Sequence, residues 1–202
     1  VYRGNVRLIH DGIRMACNVA YFFNDENYVK AFGDVKMNQG DTVFMDSKYA
    51  EYRGNTKFAF ATGNVVMRDP KMTLTTDTIN FDRLIQQAYY NTYGTIKDQE
   101  NTLKSKSGRY FLNDKKFQFL TAVTITNPKY VIKSNHLDYY SNSGHSYLFG
   151  PSTITSKENF IYTEKGFYDT KKNFAHFIKN SYIKYNNRLI ERDSLYYHRK
   201  RE

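Results

Sequence analysis

Over 202 residues the chain has 19 Tyr and 15 Phe but no Trp and only 3 Pro, and β-branched and aromatic residues alternate with Asn, Asp, Ser and Lys along most of it; this mixture suits half-buried pleated strands and argues against helices. The net charge of +10, from 30 Lys and Arg against 20 Asp and Glu, favours a polyanionic partner without choosing among nucleic acid, anionic lipid and phosphorylated glycolipid. The lone Cys17 excludes an intrachain disulfide and reads as a small buried hydrophobe, and no apolar run approaches the roughly 18 residues of a membrane-spanning helix.

In chain order, Gly4-Asn5-Val6 comes first, then a turn at Asp11-Gly12, then Met15, Asn18, Ala20 and Phe22. A turn-forming cluster, Asn24-Asp25-Glu26-Asn27, follows, and the order restarts. Gly33-Asp34-Val35 leads through Gln39-Gly40-Asp41 to Val43, Asp46 and Ala50, and Arg53-Gly54-Asn55 makes the next turn. Gly63-Asn64-Val65 leads through Asp69-Pro70 to Leu74, Asp77, Ile79 and Phe81, with Asp82-Arg83 turning after it. Gly94-Thr95-Ile96 leads to Lys104, Ser107 and Phe111, then to Asn113-Asp114. Beyond this point the glycine motif fades to Gly150 and Asn180. The other columns persist as Ile132, Asn135, Leu137 and Tyr139, as Ile161, Glu164 and Tyr168, and as Ile190, Asp193, Leu195 and Tyr197, with turns at Asn127-Pro128, Ser141-Asn142-Ser143-Gly144 and Asp169-Thr170-Lys171-Lys172. The final His198-Arg199-Lys200-Arg201 reads as a solvated end.

One polar anchor therefore recurs at 18, 46, 77, 107, 135, 164 and 193, at intervals of 28, 31, 30, 28, 29 and 29 residues. Four residues after it stands an aromatic in six of seven units, Ala50 excepted; three residues before it stands an apolar residue in six of seven, Lys104 excepted. Lys104 and Arg109 interrupt the apolar columns of the fourth unit, which is expected to face solvent or to narrow the interior.

Side chains alternate across a strand, so positions three before and two after an anchor should face opposite ways. Both are apolar. A bulge or bend at the anchor would reconcile them, adding half a period and creasing the sheet, and the glycine motif fits a matching bend on the partner strand. Each unit is then two long antiparallel strands, and the stack of units is a repeat domain over residues 1–202 whose terminal edges are open to pairing.

Catalytic and metal chemistry find no footing in the pattern. His10, His136, His145, His176 and His198 lack metal-ligand spacing, and neither a nucleophile elbow nor a phosphate-binding glycine loop is present. Carboxylates at the anchors read as structural, short polar groups at a bend that cap backbone amides. No enzyme, cofactor or metal is expected. Nucleic-acid binding is also disfavoured, because the aromatics keep to one column expected to be buried and the basic residues do not cluster on one strand.

The units Ala31-Phe32-Gly33-Asp34-Val35 with Val43-Phe44-Met45-Asp46-Ser47-Lys48-Tyr49, and Ala61-Thr62-Gly63-Asn64-Val65 with Met72 to Phe81, resemble the repeat of the OstA-like family. That family includes lipopolysaccharide transport protein A and the amino-terminal domain of lipopolysaccharide assembly protein D, and the resemblance is strongest up to about residue 82. It implies a creased, open β-jellyroll of about seven repeats in the periplasm or at the outer membrane, with lipopolysaccharide acyl chains sheltered inside. It also implies other Lpt-type proteins, or a second copy of the chain, joined head to tail by edge-strand addition. The interior wall expected to hold the lipid comprises Val6, Met15, Val35, Val43, Val65, Leu74, Ile79, Ile132, Leu137, Ile161, Ile190 and Leu195. A structural or adhesive β-solenoid with a sealed core and no lipid is the alternative. No leader sequence is visible, and since Val1 is not an initiator Met, an export signal can lie upstream.

Overall fold

Antiparallel strands, with no helix, make up the computed structural model, which describes residues 1–10, 12–40, 43–169, 171–172, 174–186 and 188–198. The predicted turn residues Asp11, Asp41 and Thr170 and the terminal Arg199, Lys200 and Arg201 lie outside the described residues. Two units divide the chain, Val1–Gln99 and Glu100–Glu202.

The first unit holds β1 (Tyr2–His10), β2 (Ile13–Phe23), β3 (Tyr28–Gln39), β4 (Val43–Arg53), β5 (Phe58–Arg68), β6 (Thr73–Asp82), β7 (Gln87–Tyr90) and β8 (Gly94–Lys97). Strands β1 to β6 pair in sequence order, and β6 pairs with both β7 and β8. These last two are one strand broken at Asn91–Tyr93, and the break turns the Tyr90 ring into the core at 3 % exposure. Gly94 accepts the ring because it has no Cβ; one built there would stand 2.4 Å from Tyr90 Cζ.

The second unit holds β9 (Thr102–Ser105), β10 (Ser107–Phe111), β11 (Lys116–Asn127), β12 (Tyr130–Tyr140), β13 (His145–Ser156), β14 (Asn159–Asp169), β15 (Phe174–Tyr185) and β16 (Arg188–His198). Here β9 and β10 are the broken strand, both pairing with β11, and β11 to β16 follow in sequence order.

Polar turns stack within each unit, so that the hairpins are tied to one another as well as closed. Gly54 N–H donates to Asn27 O at 2.7 Å and Arg83 N–H to Lys57 O at 3.1 Å in the first unit; Ser141 N–H donates to Lys115 O at 3.0 Å in the second. These links satisfy turn amides that would otherwise depend on water.

Candidate functional site

The register of nearly every long strand pair slips at one place, and the slips line up as a crease within each unit. On the even strands one residue is skipped at the slip: Asn18, Lys48 and Asp77 in the first unit, Asn135, Glu164 and Asp193 in the second, with Lys106 at the break between β9 and β10. Five of the predicted anchors are these residues. The other two move: Asp46 stands two residues early, in regular ladder positions opposite Lys36 and Val66, and Ser107 stands one residue late. With Lys48 and Lys106 in their places the spacing settles at 29 or 30 residues throughout.

Realigned, the columns lose their exceptions. Tyr52 and Tyr110 replace Ala50 and Phe111 four residues on, Met45 and Leu103 replace Val43 and Lys104 three residues before, and Gly108, buried, replaces Arg109 two residues after. The fourth unit therefore neither faces solvent nor interrupts the interior. The aromatic column is half-buried rather than buried, with Phe22 at 36 % exposure.

On the odd strands the crease is made by consecutive residues with positive φ, Gly4-Asn5, Gly33-Asp34, Gly63-Asn64, Thr121-Ala122 and Lys179-Asn180, and on β13 by Gly150 ahead of Pro151. The residue just before the skipped position is small and buried in six of the seven cases, Cys17, Ser47, Thr76, Ser105, Ser134 and Thr163; before Asp193 it is the exposed Arg192. Most of these bridge the bulge by donating to the carbonyl two residues on, as Thr76 does to Thr78 at 3.3 Å, Ser105 to Ser107 at 3.0 Å, Ser134 to His136 at 2.9 Å and Thr163 to Lys165 at 2.8 Å. Capping thus falls to the residue before the anchor, not to the anchor itself. Burial pushes the Cys17 thiol above its usual range. Ser47 Oγ, equally buried, has no hydrogen-bond partner among the described residues.

Inside the first unit a buried floor runs across the strands as Ala20, Ala31, Ala50, Ala61 and Ile79, each paired with the next. Val6, Val35 and Val65 line the crease beside it at 8 %, 0 % and 0 % exposure. On the other side of the crease a row of Leu8, Met15, Met37, Met45, Met67, Leu74 and Ile96 packs against the same core, and all but Leu74 are only half-buried. At the β1 end the interior opens as a cavity of about 590 Å³ lined by Tyr2, Val6, Leu8 and Phe22, with Arg3 and Arg7 at its rim. Among the described residues no ion pair involves either arginine, and both are exposed.

The second unit has the same plan with other side chains. Its row reads Leu103, Ile125, Ile132, Ile154, Ile161, Ile183 and Ile190. Its floor reads Gly108, Phe119, Leu137, Leu148, Gly166, Phe177 and Leu195, all buried. The crease hydroxyls pair with one another, Ser134 with Ser152 at 2.8 Å and Thr163 with Ser181 at 2.9 Å.

Of the twelve predicted interior residues, eight are buried, namely Val6, Val35, Val65, Leu74, Ile79, Leu137, Ile161 and Leu195, while Met15 and Ile132 are half-buried in the rows. Val43 lies beyond the row at 36 % exposure, a consequence of the misplaced Asp46 anchor, and Ile190 is 47 % exposed because β16 pairs on one side only, with β15. Interior residues that the sequence reading does not name include Leu8, Met37, Met67 and the odd-strand alanines of the first unit, whose signal is alternation around Gly33 and Gly63, and Phe119, Ile125, Leu148, Ile154, Phe177 and Ile183 of the second.

On the outer faces the clusters are polar and satisfied. Glu51 accepts from the Tyr49 hydroxyl and lies 3.8 Å from Arg53, which stacks over the Tyr28 ring at 4.6 Å. Burial works to raise the Glu51 carboxyl, but hydrogen bonds from Tyr28 and Tyr49 and the charges of Lys30 and Arg53 outweigh it and hold the group below its ordinary range. In the second unit the buried Asp138 takes Lys116 Nζ at 2.6 Å and His136 Nε2 at 2.8 Å. The basic excess of the chain also belongs to this unit: residues 1–99 carry 12 Lys and Arg against 11 Asp and Glu, residues 100–202 carry 18 against 9.

The family model described as OstA-like protein matches residues 1–135. No curated protein matches the chain. Among solved structures, LptH of Pseudomonas aeruginosa, the LptA-homologous periplasmic component of a lipopolysaccharide transport device, aligns with 63 % of this chain and 75 % of its own at 11 % identity and a TM-score of 0.29, a likeness too loose to bear on function.

Proposed function

Because this chain belongs to the OstA-like protein family, we propose that it is a non-enzymatic carrier of lipopolysaccharide, working in the periplasm as a segment of a bridge toward the outer membrane. The observation that carries this reading is the interior of the first unit. A buried floor of alanine faces a methionine-rich row that is only half covered, and the space between opens at the β1 end between apolar side chains and two exposed arginines. Sheltering hydrocarbon there is favourable at about 0.8 kcal/mol per CH₂, so an acyl chain of a dozen carbons needs such an escort to cross water. Excess positive charge on residues 100–202 suits the phosphates of a glycolipid.

Partners in this reading are lipopolysaccharide and other Lpt-type proteins or further copies of the chain, head to tail. Among the described residues strand β1 pairs with β2 alone and β16 with β15 alone, so both present edge hydrogen-bonding groups of the kind that strand addition uses. The repeat domain is taken to run over residues 1–202. A second reading, a sealed solenoid, is favoured for the second unit by its filled floor of Phe119, Leu137, Leu148 and Phe177.

Photo-crosslinking in cells tests the carrier reading. A photoreactive residue at Met45 or Leu74 should label lipopolysaccharide well above one at the exposed Lys48. Equal labelling from all three would remove it.

A further inference from the structure

The two units share a plan but not a filling. The chain has six sulfur atoms, five from methionine and one from Cys17, and five of the six meet in a single apolar cluster of the first unit. Met15, Met37, Met45 and Met67 stand on four consecutive strands, each directly opposite the next in the ladder. Side chains so opposed have Cβ atoms about 4.5–5.5 Å apart, and methionine, unbranched with three rotatable bonds, can swing its sulfur across that gap. Cys17 lies two residues beyond Met15 on β2 and joins the same cluster. Met72 stands apart, in the turn before β6, where its N–H donates to Asp69.

Packing alone does not ask for sulfur here. In the second unit the corresponding row carries isoleucine on each of β11 to β16 and closes its core without a methionine. Isoleucine is stiff at χ1, whereas methionine is polarizable and adapts its conformation. All four methionines are only half-buried, so the sulfur row is not sealed from solvent.

The donor set is soft. Thioether sulfur suits Cu(I), whereas carboxylate and carbonyl oxygens suit magnesium, calcium and manganese. A thioether also has no proton to lose, while burial raises the Cys17 thiol and makes its thiolate costly. Among the described residues no three His, Cys, Asp or Glu side chains gather as a metal site; what gathers is thioether. Three neighbouring methionines of the row can close on one ion, and the two overlapping triads, Met15 with Met37 and Met45, and Met37 with Met45 and Met67, share their central pair.

We infer that the first unit holds a site for one soft monovalent cation, Cu(I) or its congener Ag(I), ligated by the thioethers of Met37 and Met45 with Met15 or Met67 as the third ligand. Binding involves no electron transfer and releases no proton. The second unit, with isoleucine in the row, has no such site.

The full chain, kept reduced and anaerobic, is titrated with Cu(I) in competition with the chromogenic chelator bicinchoninate, while ¹³C-labelled Met ε methyls are followed by NMR. One equivalent should leave the chelator, and the methyls of Met37 and Met45 should shift while that of Met72 stays in place. Met37→Ile, which writes the second unit's residue into the row, should weaken binding by about tenfold or more, since even the outer-shell partners of metal ligands are worth that much. Met72→Ile and Cys17→Ser should leave the affinity unchanged, and Zn(II) should move none of the methyls. No Cu(I) drawn from the chelator, uptake without shifts at Met37 and Met45, equal affinity in Met37→Ile, or the same shifts with Zn(II) each overturns the inference. So does a loss in Cys17→Ser as large as that in Met37→Ile, which would make the ligand a thiolate. The methyl shifts of the wild type decide the matter even where Met37→Ile does not fold. No lipid enters the titration, so the carrier reading stands or falls separately.

Discussion

Gly63 lies directly under Lys48: a Cβ on the glycine would stand 2.7 Å from the Lys48 Cβ, and the glycine φ is +85°. The bulge residue of one strand thus crosses over the glycine of the next, and in the first unit the close approach leaves no room for a side chain at Gly63. Gly33 stands in the same relation to Asn18. Gly63→Ala should therefore cost about 2–4 kcal/mol, combining left-handed strain with overpacking against backbone-anchored atoms. Gly4→Ala shares the positive φ but meets nothing within 4 Å, and should cost about 1–2 kcal/mol. Urea unfolding of the two variants checks the order; equal losses would mean that the crossing does not matter.

The crease hydroxyls give an opposite pair of expectations. Thr163→Val removes the donor to Lys165 O and leaves the buried Ser181 hydroxyl without its neighbour, which should cost about 1–3 kcal/mol. Ser47→Ala removes a buried hydroxyl that has no partner among the described residues, and in the absence of ligand it should be neutral or slightly stabilising. Chemical denaturation of both variants, compared with the wild type, reads the sign directly.

Those hydroxyls also explain what was legible in the sequence. The thirty-residue rhythm, the bulge and the two apolar columns that it reconciles could be read because burial constrains them and burial selects residue type. The skipped residue itself is exposed at Asn18, Lys48, Asp77, Lys106, Asn135 and Asp193, so its identity is almost free, and the short polar pattern points to Asp46 and Ser107 instead of the nearby Lys48 and Lys106. The constrained position is the one before it, Cys, Ser or Thr from Cys17 to Thr163, where the side chain is buried and, Ser47 excepted, donates across the bulge to the carbonyl two residues on. Neither the break that turns Tyr90 into the core nor the contrast between methionine and isoleucine rows could be read from hydropathy, since both rows are simply apolar. Those depend on which strands become neighbours.

Acidification should weaken the outer cluster around Glu51. Its carboxyl titrates below the ordinary value in the folded chain, so its contribution is whole above the unfolded carboxylate pKa of about 4.3 and is lost as pH falls through the lower folded value. Tyr49 is displaced the other way, by burial first and by Glu51 second, so its contribution holds below about pH 10 and is lost as pH rises through its elevated folded value. Thermal midpoints followed from pH 7 down to pH 3 should converge for the wild type and Glu51→Gln, with the gap between them largest near neutrality. A constant gap across that range would show that the Glu51 charge contributes nothing.

Arg3 and Arg7 supply the remaining prediction, which concerns the entrance. Both are exposed at the rim of the cavity, where Val6 and Leu8 begin the crease and the row, so an amphiphile entering here would leave its head beside them. Each cation near an anionic surface is worth roughly 1 kcal/mol, and the pair should account for about tenfold or more in affinity for an acidic amphiphile at low salt. Replacing both with Gln should produce that loss for lysophosphatidylglycerol and almost none for lysophosphatidylcholine, whose head is zwitterionic. Raising the salt should close the gap between wild type and variant, because exposed charges are screened within about 8 Å at physiological ionic strength. If the variant binds both lipids as the wild type does, the β1 end is not where the head rests. An equal loss for both lipids would instead mark the arginines as packing elements of the β1 strand, acting through their aliphatic stems rather than their charge.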